Sequence, residues 1–137
     1  MITGQTARME DYLEAIAQLA KEGPEVRVTE ISRRLGVKKP SVTAALYRLS
    51  EEGLVEHPRY GCVQLTSEGS RIARDVIHRH EVLFHFLFAI LGVERDIAQE
   101  DACKIEHLLS PDSLEKLAEY VEFMLKAPQG RQNTGRA

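Results

Sequence analysis

The feature that most restricts this chain is Glu30-Ile31-Ser32-Arg33-Arg34-Leu35-Gly36, followed after Val37 by Lys38-Lys39 and Pro40-Ser41-Val42-Thr43-Ala44-Ala45-Leu46-Tyr47-Arg48-Leu49. Two short amphipathic segments flank a glycine, and a proline opens the second. Glycine tolerates the left-handed backbone that stops a helix, and proline suits a helix's first turn. Helices joined this closely must cross through a tight turn, which is the helix-turn-helix arrangement. Thr29 is the expected N-cap of the first helix and Gly53 the expected stop of the second. The β-prone runs Leu54-Val55-Glu56-His57 and Cys62-Val63-Gln64-Leu65-Thr66 flank Pro58-Arg59-Tyr60-Gly61 and predict a hairpin, here a wing.

The charge distribution fits that reading. The chain carries a net charge of −3, yet residues 26–61 hold seven Arg or Lys against four Glu, a local balance of +3 that leaves −6 in the flanks. A basic segment inside an acidic protein predicts a local nucleic-acid footprint. Its candidate contacts are Lys38, Lys39, Ser41, Thr43 and Arg48, with Arg59 and Tyr60 at the wing tip. Ser41 and Thr43 have hydroxyls suited to base edges, whereas the lysines suit phosphates.

Helical spacing of apolar residues predicts further helices over roughly 6–22, 68–91, 95–109 and 112–126, the second capped by Thr66 or Ser67 and ended by Gly92. At 137 residues and 43% hydrophobic composition, one compact unit or two small ones sharing a core can form. The expectation is a mostly α protein. Residues 1–70 are expected to form a winged helix-turn-helix DNA-binding domain, 71–127 a helical domain, and 128–137 a flexible polar tail. The apolar run from Val82 to Val93 is broken by His85 and is too short to span a bilayer, and the N-terminus lacks a signal-peptide pattern. A soluble cytoplasmic protein is expected. Phe84, Phe86, Phe88, Ile90 and Leu91 leave few faces polar, which predicts a partner subunit in a homodimer.

Cys103, Glu106 and His107 stand at offsets 0, 3 and 4, which share one face of a helix. Asp11 and Glu14 form a second such pair near the N-terminus, and His80 lies midway in His78-Arg79-His80. Taken singly, an acidic pair is usually a solvated face and a lone cysteine a packing residue. Their coincidence with a winged helix favours a transition-metal site drawn from distant helices. Oxygen and nitrogen donors hold Mn²⁺ and Fe²⁺, while the sulfur tilts toward Fe²⁺, Co²⁺, Ni²⁺ or Zn²⁺. Neither cysteine has a Cys-x-x-Cys partner, which disfavours a structural zinc knuckle. His-Glu-x-x-His is absent, no Glu stands three residues before any histidine, and no Gly-rich phosphate loop or nucleophile elbow occurs. No catalytic reading follows, and an enzyme is not expected.

From about Met9 to Met124 the chain resembles the metal-dependent repressors related to the diphtheria toxin repressor, in particular their short manganese-responsive branch. The resemblance rests on Met9-Glu10-Asp11-Tyr12-Leu13-Glu14, Ser41-Val42-Thr43, Leu65-Thr66-Ser67-Glu68-Gly69, His78-Arg79-His80-Glu81 and Cys103-Lys104-Ile105-Glu106-His107-Leu108-Leu109-Ser110. It implies a winged-helix domain followed by a helical metal-binding and dimerisation domain, without the SH3-like domain of longer members. Asp11, Glu14, His80, Glu106 and His107 match the ligands of the manganese branch. Cys103 replaces a glutamate of that branch and resembles the iron-responsive one, which in turn has methionine where this chain has Asp11. Two of the three ancillary ligands of the iron branch are replaced by Phe84 and Gln99, leaving His80.

The resemblance implies a divalent corepressor, manganese first and iron second, that lets a homodimer bind a palindromic operator, such as that of metal-uptake genes. The rival expectations are a winged-helix regulator sensing a small organic ligand and a metal-storage protein without a DNA role.

Overall fold

Thr6 starts the first helix because its hydroxyl accepts the Met9 N–H at 3.1 Å, satisfying one of the donors that a helix start leaves open. The computed structural model describes residues 6–23, 25–57 and 61–126. They divide into two compact units with the boundary between Ile77 and His78.

The first unit holds α1 (Ala7–Glu22), α2 (Val28–Leu35), α3 (Lys39–Glu51), strands β1 (Val55–Glu56) and β2 (Gln64–Leu65), and the start of α4 (Ser67–His85). α2 begins one residue before Thr29, so Thr29 sits in its first turn and not at the cap. The Arg27 N–H donates to Glu30 Oε1 at 3.0 Å instead, which relocates the cap to Arg27. Gly36 then adopts φ +68° and stops α2, as its position predicts. β1 and β2 pair antiparallel, Val55 opposite Leu65 and Glu56 opposite Gln64, in a hairpin shorter than the sequence suggests. Its tip, with Arg59 and Tyr60, lies outside the described residues, as does the tail beyond Lys126.

One continuous core fills this unit. Tyr12, Leu13 and Ile16 of α1, Ile31 of α2, Val42, Leu46 and Leu49 of α3, Val55, Val63, and Ile72 and Val76 of α4 are all buried together. Thr66 joins wing to helix: its hydroxyl accepts the Gly69 N–H at 3.1 Å and donates to the Gly53 carbonyl at 2.7 Å. Gly69 is required by close approach, since a Cβ there would stand 2.0 Å from the Leu54 carbonyl oxygen. The Leu65–Gly69 motif is thus explained by a cap and a backbone contact.

The second unit continues α4 and adds a π-helical segment (Phe86–Ile90), α5 (Arg95–Ile105) and α6 (Pro111–Leu125). In the π-segment the Leu91 N–H reaches back five residues to the Phe86 carbonyl at 3.0 Å, and Gly92 at φ +79° ends the run. α6 starts at Ser110, whose hydroxyl accepts the Ser113 N–H at 3.2 Å, with Pro111 in the first turn. Two small apolar clusters hold these elements: Leu83, Phe84, Ala98 and Ala102 in one, Val82, Leu114 and Val121 in the other. Phe84 is buried and Phe86, Phe88 and Ile90 are partly buried, so of the five residues read as leaving a face uncovered only Leu91 is exposed. Leu108, Ile97, Tyr120, Phe123 and Leu125 are exposed instead.

Candidate metal centre

α4 and α5 bring three donors of different chemistry to one point. His80 Nδ1 stands 2.9 Å from Glu106 Oε1 and 3.8 Å from Cys103 Sγ. One donor atom from each of the three lies within 4.8 Å of the others. His107 joins through its Nε2, 3.4 Å from Glu106 Oε2. Glu106 is fully buried, while Cys103 is exposed at the rim. α5 ends at Ile105, so Glu106 and His107 lie in the turn beyond it and not on the helix itself. Glu106 keeps φ −57° and ψ −27°, a helical conformation that preserves the offset from Cys103 on which the shared face depends.

Electrostatics make this cluster a seat for positive charge. The Cys103 sulfur and then the Glu106 carboxylate at Nδ1, with the Gln99 carbonyl beyond, outweigh burial and raise the His80 pKa from 6.5 to about 11. The same groups therefore hold a proton on His80 at neutral pH. Glu106 Oε2 is buried and, beyond the 3.4 Å approach of His107 Nε2, which does not form a hydrogen bond, has no hydrogen bond among the described residues. Such atoms are rare in proteins unless something else satisfies them. A buried carboxylate, two imidazoles and a thiol fit a divalent first-row ion.

Arg79, which the sequence reading gave no role, and Gln99, which it noted only in place of an ancillary ligand, hold the cluster. Arg79 is 1% exposed, and its Nη1 donates to the Glu106 backbone carbonyl at 2.7 Å, anchoring the turn that carries both Glu106 and His107. Its position three residues after Val76 and three before Val82 puts it on the apolar face of α4, a signal available in the sequence. Gln99 Oε1 lies 2.6 Å from His80 Nε2. His78 and His85, flanking this region, are exposed. Asp11 and Glu14 belong to the first unit, where both are half-buried on α1 and Glu14 Oε2 accepts from Gln18 Nε2 at 3.5 Å.

On the first unit, Val42, Ala45, Leu46 and Leu49 turn α3 toward the core, leaving Lys38, Lys39, Ser41, Thr43 and Arg48 exposed. A groove of about 370 Å³ between α1 and α3 is floored by Met9, Tyr12 and Ala45 and flanked by Arg8, Ser41 and Arg48. Arg8 escaped the sequence reading because it precedes the basic segment 26–61.

The chain matches the iron-dependent repressor N-terminal DNA-binding domain over residues 5–63 and the iron-dependent repressor metal-binding and dimerisation domain over residues 66–135. It belongs to the iron-dependent repressor family. Within that family it is 38% identical over 107 residues to the transcriptional regulator MntR of Escherichia coli, covering 78% of this chain and 68% of the relative. It is 35% identical over 118 residues to the HTH-type transcriptional regulator MntR of Bacillus subtilis, covering 86% and 82%. A solved manganese-dependent transcriptional repressor in complex with manganese superimposes with a TM-score of 0.75 at 30% identity, over 84% of this chain and 53% of that one. The chain thus spans about half the length of that solved structure. The two family domains meet between residues 63 and 66, just ahead of α4, whereas the compact units divide within α4 between Ile77 and His78. No described helix of this repressor-family chain is long and apolar enough to cross a membrane.

Proposed function

We propose that this chain is a cytoplasmic, metal-responsive transcriptional repressor, not an enzyme, whose divalent corepressor, Mn²⁺ before Fe²⁺, enables a homodimer to bind a palindromic operator. The observation that carries this reading is the convergence of His80, Cys103 and Glu106, with His107 against Glu106, in a chain whose other unit presents a helix-turn-helix.

His80, Cys103, Glu106 and His107 supply the second unit's share of the ligands. Asp11 and Glu14, three residues apart on α1, supply the share of the DNA-binding unit. A divalent ion held by these residues would supply positive charge to neutralise their carboxylates and would link α1 to the helical domain. Without it the carboxylates of Asp11, Glu14 and Glu106 would stay uncompensated, and the recognition helices would be held less firmly in register. In the dimer, α3 of each subunit enters the major groove, with half-sites about one helical turn apart. Ser41 and Thr43 read base edges, while Lys38, Lys39, Arg48 and Arg8 hold phosphates, with Arg59 and Tyr60 on the backbone or minor groove. Metal and operator tighten each other by the same factor.

Hard or borderline donors in five of six positions favour Mn²⁺, and the Cys103 sulfur keeps Fe²⁺ second. The organic-ligand alternative gains no support from this donor set or from the named relatives. Operator-duplex binding in chelator-stripped protein, titrated anaerobically with Mn²⁺, Fe²⁺, Co²⁺ and Zn²⁺, tests the proposal. Operator affinity that ignores every ion defeats it. Cys103→Glu should move the ranking toward Mn²⁺; an unchanged ranking removes Cys103 from the ligand set.

A further inference from the structure

We infer that Gln99 is a positioning residue that fixes which nitrogen His80 offers to the ion. The inference rests on the reading that His80 is a ligand, and deepens it.

A histidine ring has two nitrogens, and a ligating imidazole whose other N–H is held by an acceptor is both oriented and made a better donor. Here Nδ1 faces the remaining donors, 2.9 Å from Glu106 Oε1 and 3.8 Å from Cys103 Sγ. Nε2 faces away from them and donates to Gln99 Oε1 at 2.6 Å. Gln99 is four residues ahead of Cys103, so a single helix, α5, carries both a metal donor and the group that aims the histidine at it.

The ring is also held in its plane. Phe84 lies nearly parallel to His80, at 4° with centroids 6.5 Å apart, and Phe88 stacks on Phe84 at 5.2 Å. The Arg95 guanidinium caps that stack, 4.6 Å from the Phe88 centroid and 5.5 Å from that of Phe84. Stacking restricts tilt but leaves a half-turn flip of the ring open, and a flip would exchange the two nitrogens. The Gln99 oxygen selects between the flipped states, because it gives Nε2–H a partner while Nδ1 is committed to the ion. A fixed acceptor also favours a single tautomer once His80 has lost its second proton.

Gln99 is exposed, so its replacement removes this contact without opening a core. The test uses the full-length chain labelled with ¹⁵N in its histidine rings and titrated with Zn²⁺ as a diamagnetic probe. Wild type, Gln99→Glu, Gln99→Met and His80→Ala are compared, the last to assign the His80 signals. In wild type, Zn²⁺ should shift Nδ1 of His80 and leave a slowly exchanging proton on Nε2. Gln99→Met should lower Zn²⁺ affinity by about 10–100-fold and lose the protected Nε2 proton, and Gln99→Glu, which keeps an acceptor oxygen, should restore both. If Gln99→Met leaves affinity and ring signals as in wild type, or lowers affinity with the Nε2 proton still protected, the positioning role is refuted while His80 stays a ligand. If Zn²⁺ binds wild type without shifting His80 at all, the ligand reading falls and takes this inference with it.

Discussion

The two units solve the burial problem differently. In the first, one cluster gathers side chains from all three leading helices, the hairpin and the start of α4, and among the described residues Tyr47 is the one exposed large apolar side chain of this unit. In the second, the apolar residues fall into two small clusters, two charged side chains, Arg79 and Glu106, are buried where the first unit buries Glu10, and Leu91, Ile97, Leu108, Tyr120, Phe123 and Leu125 are exposed. Burying charge is costly unless each ion is satisfied, and exposed apolar surface invites a partner. The first unit is therefore built to be rigid by itself. The second leaves its charge and its apolar surface to be completed by what binds, which is what a sensing domain requires.

The sharpest way to break this contrast is to remove the donors. Glu106→Ala together with His107→Ala should abolish metal-stimulated operator binding, a loss of at least about 100-fold. Thermal unfolding supplies the second measurement. Wild type should gain about 2.7 kcal/mol with an ion at a hundred times its dissociation constant, and the double variant should gain nothing. An undiminished gain in the variant would move the site elsewhere.

Next in size is Arg79→Ala. Losing the buried guanidinium, its bond to the Glu106 carbonyl and its packed stem should destabilise the second unit by about 3 kcal/mol in denaturant unfolding. The first unit's amide protection should be unaffected, so a uniform loss across both units would erase the distinction drawn here.

His80 makes the second unit sensitive to alkali. Its folded pKa of about 11 lies above the ordinary 6.5, so in ion-free protein its stabilising contribution is complete below about 6.5 and is lost as pH rises toward 11. Ion binding has the opposite slope, because His80 must release its proton to coordinate. Metal affinity should rise with pH by up to about tenfold per unit, with proton release visible by calorimetry in two buffers of different ionisation enthalpy. His80→Gln should flatten that dependence.

The smallest effect belongs to the first unit. Arg8→Ala should weaken binding to all duplexes alike by a few-fold and lower the slope of log affinity against log salt by about 0.9, leaving metal affinity in the absence of DNA unchanged. A sequence-selective loss would instead make Arg8 a base-reading residue.

Much of this was legible beforehand wherever the cause is local. The first helix from about residue 6, the left-handed stop at Gly36 and the Pro40 start follow from neighbours three or four positions away. Thr29 misled because side-chain capping by a threonine competes with a backbone N–H to Glu30, and the latter won two residues earlier, at Arg27. The π-segment carries no periodic mark, since Phe86–Ile90 is apolar on every side. Arg79 was read past because its partner is a main-chain carbonyl 27 residues away, which no side-chain motif announces.

The amino-acid order alone determined the helices and turns, the basic recognition segment, and the spacing that makes Cys103, Glu106 and His107 neighbours, because each depends on backbone preferences and periodicities within a few residues. Only the tertiary structure decided that His80 meets Cys103 and Glu106 through Nδ1, that Gln99 takes its other nitrogen, and that Arg79 anchors the turn. Those contacts join residues 19 to 27 positions apart, and such pairings are fixed by how helices pack rather than by any preference written along one of them.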